Sequence, residues 1–120
     1  MTDSATVSHK SRQFAVRIVQ VYQFLTNNQK EYVLSKQLLR SGTSIGANIA
    51  ESSCAFSKKD FLAKMYIAFK ECSETRYWLT LLHDTNYLTD AEYQSIYADC
   101  TELYKMLAAI TKTMRESDLE

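Results

Sequence analysis

The two glycines of this 120-residue chain, Gly42 and Gly46, stand four residues apart in a segment, residues 40–51, that otherwise reads as helix. Each helical glycine costs roughly 1 kcal/mol relative to alanine, and here both sit among small Ser41, Ser44, Ala47 and Ala50. Close approach by the backbone of a neighbouring helix is the compensation that such a pattern implies. The chain has no proline and no other glycine, so it lacks the punctuation a many-stranded sheet requires. A single all-α domain follows.

Apolar spacing divides the chain into four helices. Phe14, Ile18, Val21 and Leu25 recur at three and four residues, which predicts a first helix over about 9–26 after a flexible polar arm, residues 1–8. Asn28, with Glu31 three residues on, reads as the cap of a second helix over about 29–55, whose seam is Leu38, Gly42, Ile45, Ile49 and Phe56. A break at residues 41–43 is the alternative, because serine and threonine hydroxyls compete for backbone hydrogen bonds. Ser57 and Asp60 mark the start of a third helix over 58–84. Its seam is Phe61, Met65, Ala68, Cys72, Thr75, Leu79 and Leu82, and Asn86 is a plausible left-handed terminator. Thr89 and Glu92 form a capping box before a fourth helix over about 90–115, with Tyr93, Ile96, Cys100, Leu103, Leu107, Ile110 and Met114 inward. Residues 116–120 read as a disordered acidic tail. Short links between four amphipathic helices imply an antiparallel up-down-up-down four-helix bundle.

Charge argues against a strongly polyanion-binding chain, since the formal net charge is zero. The distribution is uneven: residues 1–70 hold ten Lys/Arg against four Asp/Glu, and residues 71–120 hold four against ten. The halves can therefore complement one another within or between subunits. The three cysteines, Cys54, Cys72 and Cys100, are widely spaced without a C-x-x-C pair, which suits buried reduced thiols better than a metal or disulfide framework. No stretch approaches the ~20 apolar residues that span a bilayer, and the polar start lacks a signal peptide's apolar region. The expectation is a cytoplasmic protein without a membrane partner.

Several side chains are candidates for specific contacts. Arg40, Ser44, Ala47 and Glu51 share one stripe about 16 Å long at the helical rise, too long for Arg40 to pair with Glu51. Each end charge therefore needs a partner on another helix or subunit. Ser41, Ser44 and Asn48 form a polar ladder in which Asn48 is expected to bond Ser73 or Glu74 of helix three. Glu71 and Glu74 have a spacing that superficially suits a metal or acid–base pair, but neither His9 nor His83 completes a Glu-x-x-His motif. His83 belongs with the end of helix three and its dipole. Lys58, Lys59, Lys64 and Lys70, with Tyr66 and Phe69 nearby, form the strongest local case for phosphate contact.

The run Gln37-Leu38-Leu39-Arg40, then Ser44-Ile45-Gly46-Ala47-Asn48-Ile49-Ala50-Glu51, then Ser57-Lys58-Lys59-Asp60-Phe61 and Glu71-Cys72-Ser73-Glu74, carries a family resemblance. Over roughly residues 10–114 the chain resembles the four-helix-bundle proteins encoded in intervening sequences of bacterial 23S ribosomal RNA genes. Relatives of that family include accessory proteins of diversity-generating retroelements. The resemblance implies a homo-oligomeric ring, typically a pentamer, with no established enzymatic activity, cofactor, metal or small-molecule substrate. For the retroelement relatives it also implies binding to RNA or DNA and to a reverse transcriptase. Ser52 stands where the family usually has glycine, Thr85-Asn86-Tyr87 replaces Leu-Gly-Tyr, and the neutral charge departs from the basic retroelement proteins.

Two functional expectations result. The first is a non-enzymatic oligomeric scaffold in which Arg40, Gly42, Ser44, Gly46, Asn48, Glu51 and Glu74 make packing or interface contacts. The second is a nucleic-acid-binding accessory factor that uses a basic patch from residues 1–70, including the four lysines named above.

Overall fold

Four helices wind up and down through the computed structural model, which describes the backbone of residues 4–119 and the side chains of residues 6–112: α1 Ser4–Asn27, α2 Leu34–Ser52, α3 Lys58–Asp84 and α4 Asp90–Leu119. Each helix packs against its neighbours in the chain, and α1 closes the bundle against α4. The α2–α3 pairing is the most extensive and the α1–α4 pairing the least. Helices joined by links this short must run antiparallel.

The periodic apolar positions fill the centre. Phe14, Ile18 and Leu25 of α1 meet Leu38, Ile45 and Ile49 of α2, and all are buried. From α3 the core takes Met65, Ala68, Cys72, Thr75, Leu79 and Leu82, and from α4 it takes Ile96, Cys100, Leu103 and Leu107. Val21, Phe61, Tyr93 and Ile110 pack at its edge, partly buried. Met114 lies outside the described side chains.

Helix ends differ from the periodic expectation where hydrogen bonding overrides it. The first helix begins at Ser4, not residue 9, and Val7 is buried, so most of the expected arm belongs to the bundle. The second begins at Leu34, because Lys30 adopts a left-handed conformation with φ 56° and Asn28 does not cap it. Glu31 takes over that role. Its carboxylate accepts from the N–H groups of Val33, Leu34 and Ser35 at 3.1, 2.8 and 2.7 Å, satisfying donors that a helix start leaves open. Burial pushes the Glu31 carboxyl up, and hydrogen bonds from Leu34, Ser35 and Val33 outweigh that effect, leaving it below the usual range.

The second helix runs unbroken through residues 41–43 and stops at Ser52, short of residue 55. Ser53 Oγ donates to the carbonyl of Ala50 at 2.7 Å, an alternative to continued helix that serine readily takes. Phe56 is consequently outside the helix and 93% exposed, not part of the seam. The other signals read from the chain operate as written. Ser57 Oγ accepts from Asp60 N–H at 3.0 Å, Thr89 and Glu92 cap each other reciprocally, and Asn86 has φ 69°. The fourth helix continues to Leu119, beyond the expected end at 115 and through most of the acidic tail; Glu120 lies outside the described residues.

The two glycines have different work. A Cβ on Gly42 would stand 2.8 Å from both Cγ1 and Cγ2 of Ile18, so the Ile18 side chain lies directly on the α2 backbone there. A Cβ on Gly46 would meet Ser11 Oγ at 3.4 Å, close to ordinary contact. The neighbouring backbone inferred for the pair stands beside Gly46, where the Ser11 carbonyl O and C lie 3.5 and 3.6 Å from the Cβ position, whereas Gly42 makes room for a side chain.

Candidate functional site

The residues singled out on α2 converge on α3. Arg40 Nη1 bonds Glu71 Oε2 at 3.1 Å, and Arg40 Nη2 also bonds Glu74. Glu74 in turn accepts from Trp78 Nε1 at 2.9 Å, one helical turn along α3. One turn of α3 thus presents two carboxylates to a single guanidinium, a fork geometry to which arginine is suited. The Trp78 bond lowers the Glu74 pKa, burial raises it, and Arg40 lowers it further, so Glu74 lies below the usual carboxylate range. Held this way, Glu71 and Glu74 serve a structural bridge.

At the other end of the stripe Glu51 accepts from Lys64 Nζ at 2.8 Å. Arg40 and Glu51 therefore both find partners on another helix of the same chain. The antiparallel register between α2 and α3 follows from these two pairs, Arg40 with residues 71 and 74, Glu51 with residue 64. Both bridges are largely exposed, and such pairs contribute only ~0–1 kcal/mol.

The polar ladder divides differently from the expectation. Thr75 Oγ1 donates to Ser41 Oγ at 3.0 Å between two fully buried residues, making Ser41 the member that reaches α3. Asn48 does not bond Ser73 or Glu74. Its Nδ2 donates to the Ser44 carbonyl at 2.8 Å and Ser44 Oγ donates to the Arg40 carbonyl at 2.7 Å, so both stay on their own helix. The cause is position. Residue 41 faces inward beside Leu38 and Ile45, whereas residues 44 and 48 lie partly exposed at the flank.

The four lysines do not share one face. At 100° per residue Lys59 and Lys70 fall within about 20° of each other, while Lys58 and Lys64 point well away from them. Lys64 is engaged by Glu51, and Lys70 lies 5.8 Å from the centroid of the Tyr66 ring. Phe69 turns toward α4, its ring 5.0 Å from that of Tyr104. His83 stacks on Tyr93 with centroids 4.3 Å apart, and its Nε2 is 2.6 Å from Asp90 Oδ1, which ties the end of α3 to the start of α4.

Other contacts had no clear signal in the sequence. Arg76 inserts between helices, its Cζ 4.3 Å from the Tyr104 ring centroid, with Nη2 donating to Tyr97 Oη at 3.1 Å. Arg17 bonds Asp99 at 2.6 Å and Lys10 bonds Glu102 at 3.0 Å, linking α1 to α4 across sequence separations that no local pattern reports. Cys72 and Cys100 are buried with Sγ atoms 3.8 Å apart, and Cys54, expected to be buried, is exposed. The mutual thiol contact and burial hold the Cys100 thiol far above its ordinary pKa, so it stays protonated.

Among the described residues no group of three or more His, Cys, Asp or Glu side chains is arranged to hold a metal ion. Among them, too, no helix is long and apolar enough to cross a membrane.

No curated protein matches the chain. A crystal structure of a protein of unknown function from the S23 ribosomal protein family of Bacteroides thetaiotaomicron superposes with a TM-score of 0.89 at 56% identity, covering 91% of this chain and 97% of that one. The family model described as 23S rRNA-intervening sequence protein matches residues 3–109, spanning the α2 stripe, its α3 partners and most of α4. The chain belongs to the 23S rRNA-intervening sequence protein family.

Proposed function

We propose that this protein is a non-enzymatic scaffold that works as a homo-oligomeric ring, in the pentameric form that the family resemblance implies. The observation that carries this reading is the set of large apolar side chains left on the outside of so small a bundle: Val16, Val33, Phe56, Ile67 and Tyr77 are between 40% and 93% exposed. Val16 adjoins the exposed Val19 on α1 and Ile67 adjoins the exposed Tyr66 on α3, and exposed apolar side chains grouped in this way mark a contact site. The polar side chains most suggestive of chemistry, Glu71, Glu74 and His83, are meanwhile engaged in links between helices. Sedimentation velocity at micromolar concentration tests the reading. Several copies per particle are expected, and a particle of 13.8 kDa, one chain, would overturn it.

A second reading is an accessory factor for RNA, DNA or a reverse transcriptase. It draws support from Lys59 and Lys70, exposed on one face of α3 with Tyr66 between them. Repetition around a ring would multiply so modest a patch. Titration with single-stranded RNA and DNA at low and moderate salt tests it: a steep loss of affinity with salt is expected, and no binding at low salt removes it.

A further inference from the structure

A pair of nucleophilic side chains faces itself inside the bundle. Cys72 of α3 and Cys100 of α4 are fully buried, and their Sγ atoms stand 3.8 Å apart. The contact is reciprocal: Cys72 Sγ is 3.5 Å from the Cys100 carbonyl oxygen, and Cys100 Sγ is 3.7 Å from that of Cys72. Each side chain reaches toward the other residue's backbone, so the two converge as a disulfide requires. From 3.8 Å the sulfurs need to close by roughly 1.8 Å to reach a bond length of about 2.05 Å.

The place of the pair matters as much as its distance. α4 has its least extensive contact with α1, and the pairs that tie it there, Arg17–Asp99 and Lys10–Glu102, are partly exposed. Ion pairs of that kind hold a helix weakly. The attachment of α4 therefore rests on α3, and Cys100 lies beside Asp99 on the face turned to α3. A covalent link here would join residues 28 apart in the chain and fasten α4 to the helix that carries it.

We propose that Cys72 and Cys100 are a redox-sensitive staple, which an oxidant of the disulfide class, such as glutathione disulfide, converts to an α3–α4 crosslink and which thiols reopen. One cysteine thiolate attacks a sulfur of the oxidant, breaking its S–S bond and releasing one glutathione thiolate. The second cysteine thiolate then attacks the protein sulfur of the mixed disulfide and releases the other. Two electrons pass from the pair to glutathione disulfide, and the two cysteine protons end on the two glutathione thiols. The closed bundle shields both sulfurs and keeps Cys100 protonated, so the first attack waits on local opening of α4. Exposed Cys54 needs no such opening. The staple thus answers sustained oxidation, and its product is favoured by folding, because the folded chain already holds together sulfurs that the unfolded chain must bring together by closing a loop.

The test uses the full chain with Cys54→Ser, which removes the competing exposed thiol. Reduced protein, and protein crosslinked in urea and then refolded, are each incubated in glutathione redox buffers with and without urea, quenched in acid and weighed. Crosslinking lowers the mass by two hydrogens. Trypsin cuts after Lys70, Arg76 and Lys105, so peptides 71–76 and 77–105 stay joined only through the disulfide. The exchange constant should be larger in native buffer than in urea, by about tenfold or more. By linkage the crosslinked protein should also unfold at a higher urea concentration than the reduced protein, with the same helical circular dichroism, a comparison that holds even where native exchange is too slow to equilibrate. An exchange constant no larger in native buffer than in urea would overturn the proposal. So would a crosslinked protein that fails to refold or unfolds at the same or lower urea concentration.

Discussion

Gly42 lies against Ile18 so closely that a single added methyl at residue 42 would stand 2.8 Å from two carbons of the isoleucine side chain. Both carbons are bonded directly to Cβ of a β-branched residue, whose χ1 is stiff, so the isoleucine cannot swing aside cheaply. Alanine at residue 42 recovers about 1 kcal/mol of helix propensity and incurs an overpacking cost of about 1–3 kcal/mol. Gly42→Ala should therefore be destabilising in urea denaturation. Gly46→Ala should be neutral or stabilising by up to about 1 kcal/mol, because Ser11 stands at near-ordinary contact distance. In an Ile18→Ala background Gly42→Ala should cost less than it does in the wild type, a coupling that a double-mutant cycle measures. Equal effects of alanine at the two glycines would contradict the assignment.

Glu31 organises the start of α2. Glu31→Gln should lower stability by about 1–2 kcal/mol near neutral pH, in the range of helix-cap losses. The pH dependence has a definite sign. A carboxyl whose folded pKa is depressed contributes fully above its unfolded value of about 4.3, and the contribution fades as pH falls through the folded value. The stability gap between wild type and Glu31→Gln should thus be constant above about pH 5 and narrow in acid. Denaturation series across that range would expose the error if the gap widened instead.

Trp78 is the chain's one tryptophan, and its indole N–H is bonded to Glu74, so its fluorescence reports on the Arg40 network. Emission should titrate with a midpoint below the ordinary glutamate value. That titration should vanish in Glu74→Ala. In Arg40→Ala the midpoint should rise, because the guanidinium helps hold the carboxylate charged. Arg40 is about half exposed, and its removal should cost only ~0.5–1 kcal/mol. An acid titration identical in all three proteins would rule out Glu74 as the group sensed.

Ser41 and Thr75 form the buried polar contact between α2 and α3. Thr75→Val keeps the shape and deletes the hydroxyl, and it should cost about 1 kcal/mol. Asn48→Ala should change stability by less than about 0.5 kcal/mol, since Asn48 bonds only its own helix. Chemical denaturation of both variants decides between them. A large loss for Asn48→Ala with none for Thr75→Val would return the polar contact with α3 to Asn48.

Local pattern alone determined the number and order of the helices, the seams from Phe14 to Leu107 apart from Phe56, the Ser57 and Thr89–Glu92 caps and the turn at Asn86. These rest on interactions within a few residues, or on burial that repeats at the helical period. The stripe on α2 was legible as a set of small and charged residues, and so was the need of Arg40 and Glu51 for partners elsewhere. Which partners they have was decided by tertiary structure. Arg40 reaches Glu71 and Glu74, Ser41 in place of Asn48 bonds across to α3, and Gly42 receives the Ile18 side chain while Gly46 lies beside the Ser11 backbone, because rotation and offset between packed helices depend on every side chain in the interface at once. The same holds for Glu31, which became a cap when Lys30 turned left-handed.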